Sequence, residues 1–474
     1  MDPVSASPTS LHHPPGCLGS PIGPKSTALS LAPTCPYNRP VNEGWLERAG
    51  VRLHYLEWPA ESGAREPALF LLHGLSSNAR VWERLASQRP GRRIVALDQR
   101  GHGRSDAPSG GYTPADLTAD AARAIETLGL DRPVVAGHSW GAAVALELAA
   151  GSPALVSGLV IVDGPIGSMS AQATWEEVSR WMQPPLPTYS DLLAAAAAQE
   201  VYLGEAWGDD LAGFVEAGLV RTEAGYTPTL TAPVRLEILR ALYEHQPEAL
   251  FPRVEGPVLL ALASGDPRTP AGFAERKRRS AEAARSIRPD VQVRWYTSPH
   301  DIPLARPAEL AADLERTALV AGIWEVALRA SEVDGDWSRP AQGGDRGDDT
   351  SPGWTGKDLL AHLSSSQRAL AAIASSPPPD AERGPAPPFE PDRWNASQVR
   401  RRQDTPVPEL KAELREGAAS LQVALMDADL DRITGVGSFA DLPLDQALDS
   451  MADHQRGHLR ELVSALLGVS AREL

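Results

Sequence analysis

PVVAGHSWGAAVALELAA, residues 133–150, joins two kinds of sequence at one serine. Its first six residues are a short apolar run of the sort that lies buried on both faces of a parallel sheet. From Gly141 onward the segment is Ala-rich and helical in pattern. Between the two halves stands Gly137-His138-Ser139-Trp140-Gly141, a G-x-S-x-G segment. A serine set on a sharp strand-to-helix turn projects its hydroxyl, and only very small flanking residues let the backbone bend that tightly. Alone, such a pentapeptide is as readily a packing turn with an idle serine. The strand before it, the helix after it and the partners further along give it weight.

Outward from this turn the same texture repeats. Short runs rich in Val, Leu and Ile occur at 68–74, 93–98, 158–164, 258–264 and 291–297, with helix-like stretches such as 114–128 between them. That alternation predicts a doubly wound, mainly parallel α/β sheet. GWLERAGVRLHYLEW (44–58) alternates apolar and polar residues around Ala49-Gly50, as a half-exposed antiparallel hairpin does. Residues 168–250 hold Trp, Met and Leu at helical spacing, an alanine run at 194–198 and no buried strand. They read as a helical cap inserted after the sixth strand.

In this architecture the partners of a nucleophilic serine follow in the order acid, then histidine. Asp266 comes just after the run 258–264 and His300 just after 291–297, both at strand ends on the edge that carries Ser139. His300 is the expected general base and Asp266 the residue that fixes its tautomer. Asp163 is the second choice of acid, its alternative role being to satisfy backbone amides at a strand end. His73, His102 and His138 belong to turn motifs and read as structural. The backbone N–H groups of Leu75 and Trp140 are the expected oxyanion donors. Trp175, Trp181, Met182, Leu193, Tyr202 and Trp207 read first as cap core and second as the lining of an apolar acyl or alcohol pocket.

With 474 residues the chain is long for one core. Its formal net charge of −16 argues against nucleic acid or an anionic membrane as a partner. Residues 1–42 are rich in Pro, Ser and Gly, and read as a disordered tail or an upstream extension of the reading frame. Both cysteines, Cys17 and Cys35, fall in it, which leaves the folded regions without a disulfide or a Cys-based metal site. There is no basic start followed by an apolar stretch, and no apolar run reaches the roughly 18 residues that span a bilayer. A soluble, cytoplasmic protein is expected.

After residue 320 the strands stop. Two polar loops, 333–353 and 375–391, interrupt amphipathic patterns near 309–332, 356–374, 407–426 and 444–467. Four such helices predict an all-α up-and-down bundle over 321–474, behind the α/β domain at 43–320. His454 and His458 form an H-x-x-x-H pair one turn apart on one helix face, with His362 on another helix. The pair by itself is as readily two solvent-facing side chains as a chelate. Three histidines converging from two helices would leave an open position on a metal.

HGLSSNARVW (73–82), DQRGHGRSD (98–106), GHSWG (137–141), GDPRTP (265–270) and HDIPLARP (300–307) resemble the α/β-hydrolase family over about residues 45–320. GHSWG differs by one residue from the GHDWG of epoxide hydrolases and haloalkane dehalogenases, whose nucleophile is aspartate. Serine there implies acyl transfer, so the expected reaction is hydrolysis of a carboxylic ester or related acyl bond in a small molecule, without a cofactor. Hydrolysis of a C–C bond is the alternative within the fold. PGWTGKDLLAHL (352–363), RWNASQVRRRQDTP (393–406) and MADHQRGHLREL (451–462) resemble the DinB/YfiT-like bundles, which include the mycothiol-dependent maleylpyruvate isomerase type. That resemblance implies a divalent metal, zinc or nickel, on His362, His454 and His458, and in some members a low-molecular-weight thiol. The alternatives for the bundle are a metal-dependent thiol transferase or isomerase, and a non-catalytic module for oligomerisation or docking.

Overall fold

A computed structural model of the protein describes residues 39–60, 65–88, 91–183, 185–265, 272–341, 354–375, 390–431, 434 and 442–467. Most of the segment expected to be disordered, and Asp266, lie outside these. Arg39 does not: it is buried, and its guanidinium donates to the carbonyls of Ala86 (2.9 Å), Pro59 (2.7 Å) and Arg92 (2.8 Å).

The strands are β1 (Asn42–Arg48), β2 (Val51–Trp58), β3 (Arg65–Leu72), β4 (Arg92–Leu97), β5 (Val134–His138), β6 (Gly158–Val162), β7 (Leu219–Thr222), β8 (Gly225–Pro228), β9 (Val258–Ala263) and β10 (Gln292–Tyr296). All but β7 and β8 form one sheet in the order β1-β2-β4-β3-β5-β6-β9-β10. β1–β2 and β2–β4 pair antiparallel, and every other pair is parallel. Ala49 and Gly50 join β1 to β2 with φ of 52° and 77°, the two positive values that a two-residue hairpin turn of matching twist requires. In the central strands alternate residues enter opposite cores. Phe70, Leu72, Val135, Leu159 and Ile161 face one layer; Leu69, Leu71, Val134, Ala136 and Val160 face the other. Burial on both faces is why these strands read as continuous apolar runs.

The longer helices are α1 (Pro114–Thr127), α2 (Trp140–Gly151), α3 (Trp175–Met182), α4 (Leu192–Leu203), α5 (Ala232–Glu244), α6 (Phe273–Ile287), α7 (Pro307–Glu332), α8 (Gly356–Ser375), α9 (Pro391–Arg401), α10 (Val407–Leu425) and α11 (Leu444–Leu467). The cap contains α3, α4 and α5, together with the small antiparallel hairpin β7–β8. Four-residue strands with no buried position give sequence no signal to find. The C-terminal helical region packs α8, α10 and α11 with the end of α7 around Leu359, Leu363, Leu414 and Leu462.

Helix α7 is shared. Leu310, Leu314 and Ala318 pack into the sheet's core, whereas Val326, Ala327 and Ala330 pack into that of the bundle. Residue 320, the expected border, lies inside this unbroken helix. Arg65 and Arg92, at the starts of β3 and β4, pair with Asp445 (2.6 Å) and Asp449 (3.1 Å) of α11. The bundle therefore meets the amino-terminal edge of the sheet, and Ser139 follows the carboxyl end of β5. Among the described residues, no helix is long and apolar enough to cross a membrane.

Candidate active site and histidine cluster

Ser139 has φ 53° and ψ −120°, between the end of β5 and the first turn of α2. A non-glycine residue held there costs on the order of 1–3 kcal/mol, which persists only where the surroundings enforce it. They do so through packing. A Cβ on Gly137 would run into the backbone of Gly141 and Ala142, and one on Gly141 into the carbonyls of His73 and Leu72. The Ser139 N–H donates to Val162 O at 2.9 Å, which ties the turn to the next strand.

His300 lies beyond β10, with 43% of its side chain exposed. Its Nδ1 is 2.7 Å from Oδ2 of Asp163, the residue after β6. The carboxylate bonded to the imidazole is thus the second choice of acid from the sequence; Asp266, the first choice, lies outside the described residues. Asp163 also accepts the backbone N–H of Ala263 (2.8 Å) on Oδ1, so its bland role is real as well. The same oxygen takes Nζ of Lys277 at 2.5 Å, and Nζ reaches Ala263 O at 3.0 Å. Lys277 lies in FAERKRRSAEAARSI, where a run of cations looks like a solvated helix face; sequence gives no sign that one of them turns inward.

Burial works against both charges of the pair and is outweighed in each. The bond and charge of Asp163 hold the His300 imidazole above the ordinary histidine value. The bond from His300, then the charges of His300 and Lys277, hold the Asp163 carboxyl below the usual range.

The other three histidines near the elbow are buried and bonded to backbone groups. His73 donates through Nδ1 to Gly74 O (2.8 Å), and its Nε2 accepts the backbone N–H of Gln99 (3.0 Å). Burial pushes His102 down to about 3 and His138 to about 4. His138 Nε2 lies 3.0 Å from His300 O, bracing the loop that carries the base. A Cβ on Gly74 would lie 3.1 Å from that of Ser139, so the segment leading to Leu75 abuts the elbow.

Ser139, Asp163 and His300 line one cavity of roughly 640 Å³ beneath the cap, with Arg276, Lys277 and Ser280 of α6 on one side. Of the six cap residues with a claim to it, Trp181, Met182 and Tyr202 line it. Trp175 instead packs edge-on to Tyr243 under Arg240, Leu193 is 69% exposed, and Trp207 packs against the sheet's core.

The second cluster is in the bundle. His362 on α8 and His454 and His458 on α11 each offer a ring nitrogen, and these atoms lie within 4.8 Å of one another. His362 is 2% exposed, and among the described residues neither of its ring nitrogens has a hydrogen-bond partner. Burial, then the charges of His458 and His454, hold it well below the ordinary value, in the neutral form that ligates. His458 Nε2 faces His454 Nε2 at 3.1 Å, while its Nδ1 lies 3.1 Å from Oε2 of Glu461. An orphaned buried imidazole, two more facing it, and a carboxylate orienting one of them fit a divalent metal.

Residues 67–280 match the family described as alpha/beta hydrolase fold, and residues 327–463 the mycothiol maleylpyruvate isomerase N-terminal domain. The chain is 32% identical to epoxide hydrolase 4 of Mus musculus over 156 residues, 32% of this chain and 38% of that protein. It is 36% identical to lipase LipV of Mycobacterium tuberculosis over 159 residues, 34% of this chain and 57% of that protein. The chain thus spans well under two thirds of the length of these relatives. A solved structure of E-2-(acetamidomethylene)succinate hydrolase is 23% identical, with a TM-score of 0.48, covering 58% of this chain and 98% of that one.

Proposed function

For a chain that joins an alpha/beta hydrolase domain to a mycothiol maleylpyruvate isomerase N-terminal-type domain, we propose a serine hydrolase acting on a carboxylic ester or related acyl bond of a small molecule. The observation that carries this reading is the 2.7 Å bond from Asp163 to His300 beside a serine held at positive φ on the same cavity. Ser139 Oγ attacks the acyl carbon as His300 takes its proton. The backbone N–H groups of Trp140 and Leu75 stabilise the oxyanion. His300 returns the proton to the leaving alkoxide, and the acyl-enzyme forms. Water, deprotonated by the same imidazole, then releases the acid. Asp163 holds the tautomer and stabilises the imidazolium; Asp266 becomes the alternative acid. Trp181, Met182 and Tyr202 favour an apolar group on the substrate.

The epoxide hydrolase likeness does not outweigh the serine, because those enzymes use a carboxylate nucleophile at the elbow, where this chain has the hydroxyl of Ser139. The experiment is turnover of p-nitrophenyl esters of graded acyl length by wild type and Ser139→Ala, with and without chelator. Chelator-insensitive activity lost in Ser139→Ala is expected. A folded wild type inert on every ester would move the reading to C–C bond cleavage.

The histidine cluster favours a second activity in the same chain. His362, His454 and His458 would hold a divalent cation, zinc or nickel. Such an ion, when bound, lowers the proton affinity of a coordinated thiol or water. Glu461 orients His458, and Trp354, with its ring centroid 5.2 Å from that of His362, shields the site on one side. A thiol transferase or isomerase activity would rest here. Metal content unchanged in His454→Ala would remove this reading.

A further inference from the structure

We infer that Lys277 is a positioning residue for the proposed triad, holding Asp163 by the oxygen that His300 does not use and restraining the proton affinity of His300. This rests on the serine-hydrolase reading of the site. The geometry is a chain of contacts: Lys277 Nζ to Asp163 Oδ1 at 2.5 Å, Asp163 Oδ2 to His300 Nδ1 at 2.7 Å. Asp163 is 3% exposed and Lys277 11%, so little solvent screens either.

Two consequences follow from elementary electrostatics. First, a carboxylate can turn about its bond to Cβ. Lys277 Nζ and the Ala263 N–H both grip Oδ1, and Lys277 also grips Ala263 O. The carboxylate is thereby fixed at the end of β9, and Oδ2 is aimed at the imidazole. Second, an unshared buried Asp would stabilise the imidazolium strongly and keep the base protonated into the neutral range. The Lys277 ammonium offsets part of that charge. Among the described residues, the other charged and titratable groups around His300 are Asp163 and Asp301, which favour its charged form, His138, whose ring centroid is 4.8 Å away, and Arg276, which lines the same cavity. Burial keeps His138 neutral near pH 7, so it does not supply the opposing charge. Lys277 does. A solvated helix cation would need none of these contacts, and simply anchoring α6 to the sheet would not alter the titration of His300.

The test is the rate of Ser139 labelling by a fluorophosphonate as a function of pH, which requires no knowledge of the substrate. In Lys277→Gln, which keeps a donor and loses the charge, the acidic limb should move up by about one pH unit. The alkaline plateau should change little. Lys277→Met, which loses both, should move the limb and also lower the plateau, at least about tenfold for a misaimed base. Lys277→Arg should restore the wild-type limb. Wild-type profiles in all three variants would overturn the inference and leave the hydrolase reading intact. A wild type labelled no faster than Ser139→Ala would instead overturn the reading itself, and this inference with it. Circular dichroism of each variant separates these outcomes from misfolding, and Lys277→Arg remains informative if Lys277→Met does not fold.

Discussion

Nη2 of Arg92, on β4, lies 3.1 Å from Oδ1 of Asp449, on the helix that carries His454 and His458. Arg92 is 1% exposed, and its Nε bonds Glu315 of α7 at 2.9 Å. With Arg65 and Asp445 this makes a cluster of two guanidinium groups and three carboxylates between sheet and bundle. Removing one partner of a buried pair is generally costly, but here the acids outnumber the bases.

The surplus shows in Asp449. Burial, helped by the charge of Glu315 and opposed by Arg92 and Arg65, pushes it up to about 6 from 3.8. A carboxyl whose folded value is raised contributes stability that is fully present below its unfolded value. That contribution is lost as pH rises toward the folded one. Asp449→Asn keeps an oxygen for Arg92 and removes the surplus charge. The difference in Tm between variant and wild type should therefore shift in the variant's favour between pH 4.5 and 7.5. A difference that is flat with pH would show that Asp449 titrates normally. The measurement is differential scanning calorimetry of both proteins across that range.

Asp163→Asn leaves the shape of the triad in place but lets the amide present N–H to His300 Nδ1, which favours the wrong tautomer. By analogy with the serine-histidine-aspartate template, kcat should fall about 10³–10⁴-fold with KM little changed. Asp266→Asn should cost less than about tenfold. The reverse ranking would restore Asp266 as the working acid. Steady-state kinetics on whichever p-nitrophenyl ester is turned over decides between them.

The elbow can be tested by volume alone. Gly137→Ala places a methyl against the backbone of Gly141 and Ala142, where nothing flexible can yield. A loss above about 3 kcal/mol, or no soluble protein, is expected. Gly110→Ala, where a Cβ meets no atom within 4 Å, should stay within about 0.5 kcal/mol. Urea unfolding of both provides the comparison.

Much of this was legible in sequence, for reasons that differ from place to place. The six apolar runs became strands because burial on both faces leaves an unbroken signature. The candidates Ser139 and His300 could be named because an elbow and a late strand end are local features, and both line one cavity. The choice between Asp163 and Asp266 is not local: both follow strand-like runs in the sequence, and the contact of Asp163 with His300 Nδ1 depends on the fold. Lys277 was invisible among its cationic neighbours. Helix α7 matches the pattern at 309–332, but its sharing between two cores was not legible, because an apolar stripe does not say which core it enters. His454 and His458 were legible as a pair because a spacing of four places them on one face, and the approach of His362 depended on how α8 packs against α11.

The two clusters should be loaded and emptied independently. Ser139 lies at the carboxyl edge of the sheet, and the bundle meets the amino-terminal edge through Arg65 and Arg92. Among the described residues, none lining the serine cavity comes from the bundle. A cation that binds His362, His454 and His458 in the folded chain alone stabilises that fold, by about 2.7 kcal/mol at a hundredfold excess over Kd. Added zinc or nickel should therefore raise Tm in wild type and fail to do so in His362→Ala and His458→Ala. Fluorophosphonate labelling of Ser139 should be the same in all three, with or without chelator. Labelling that follows metal content would mean that α7, which is common to both cores, transmits the state of the bundle to the sheet. Changes in α7 backbone protection on metal binding, read by hydrogen exchange, would then locate the path.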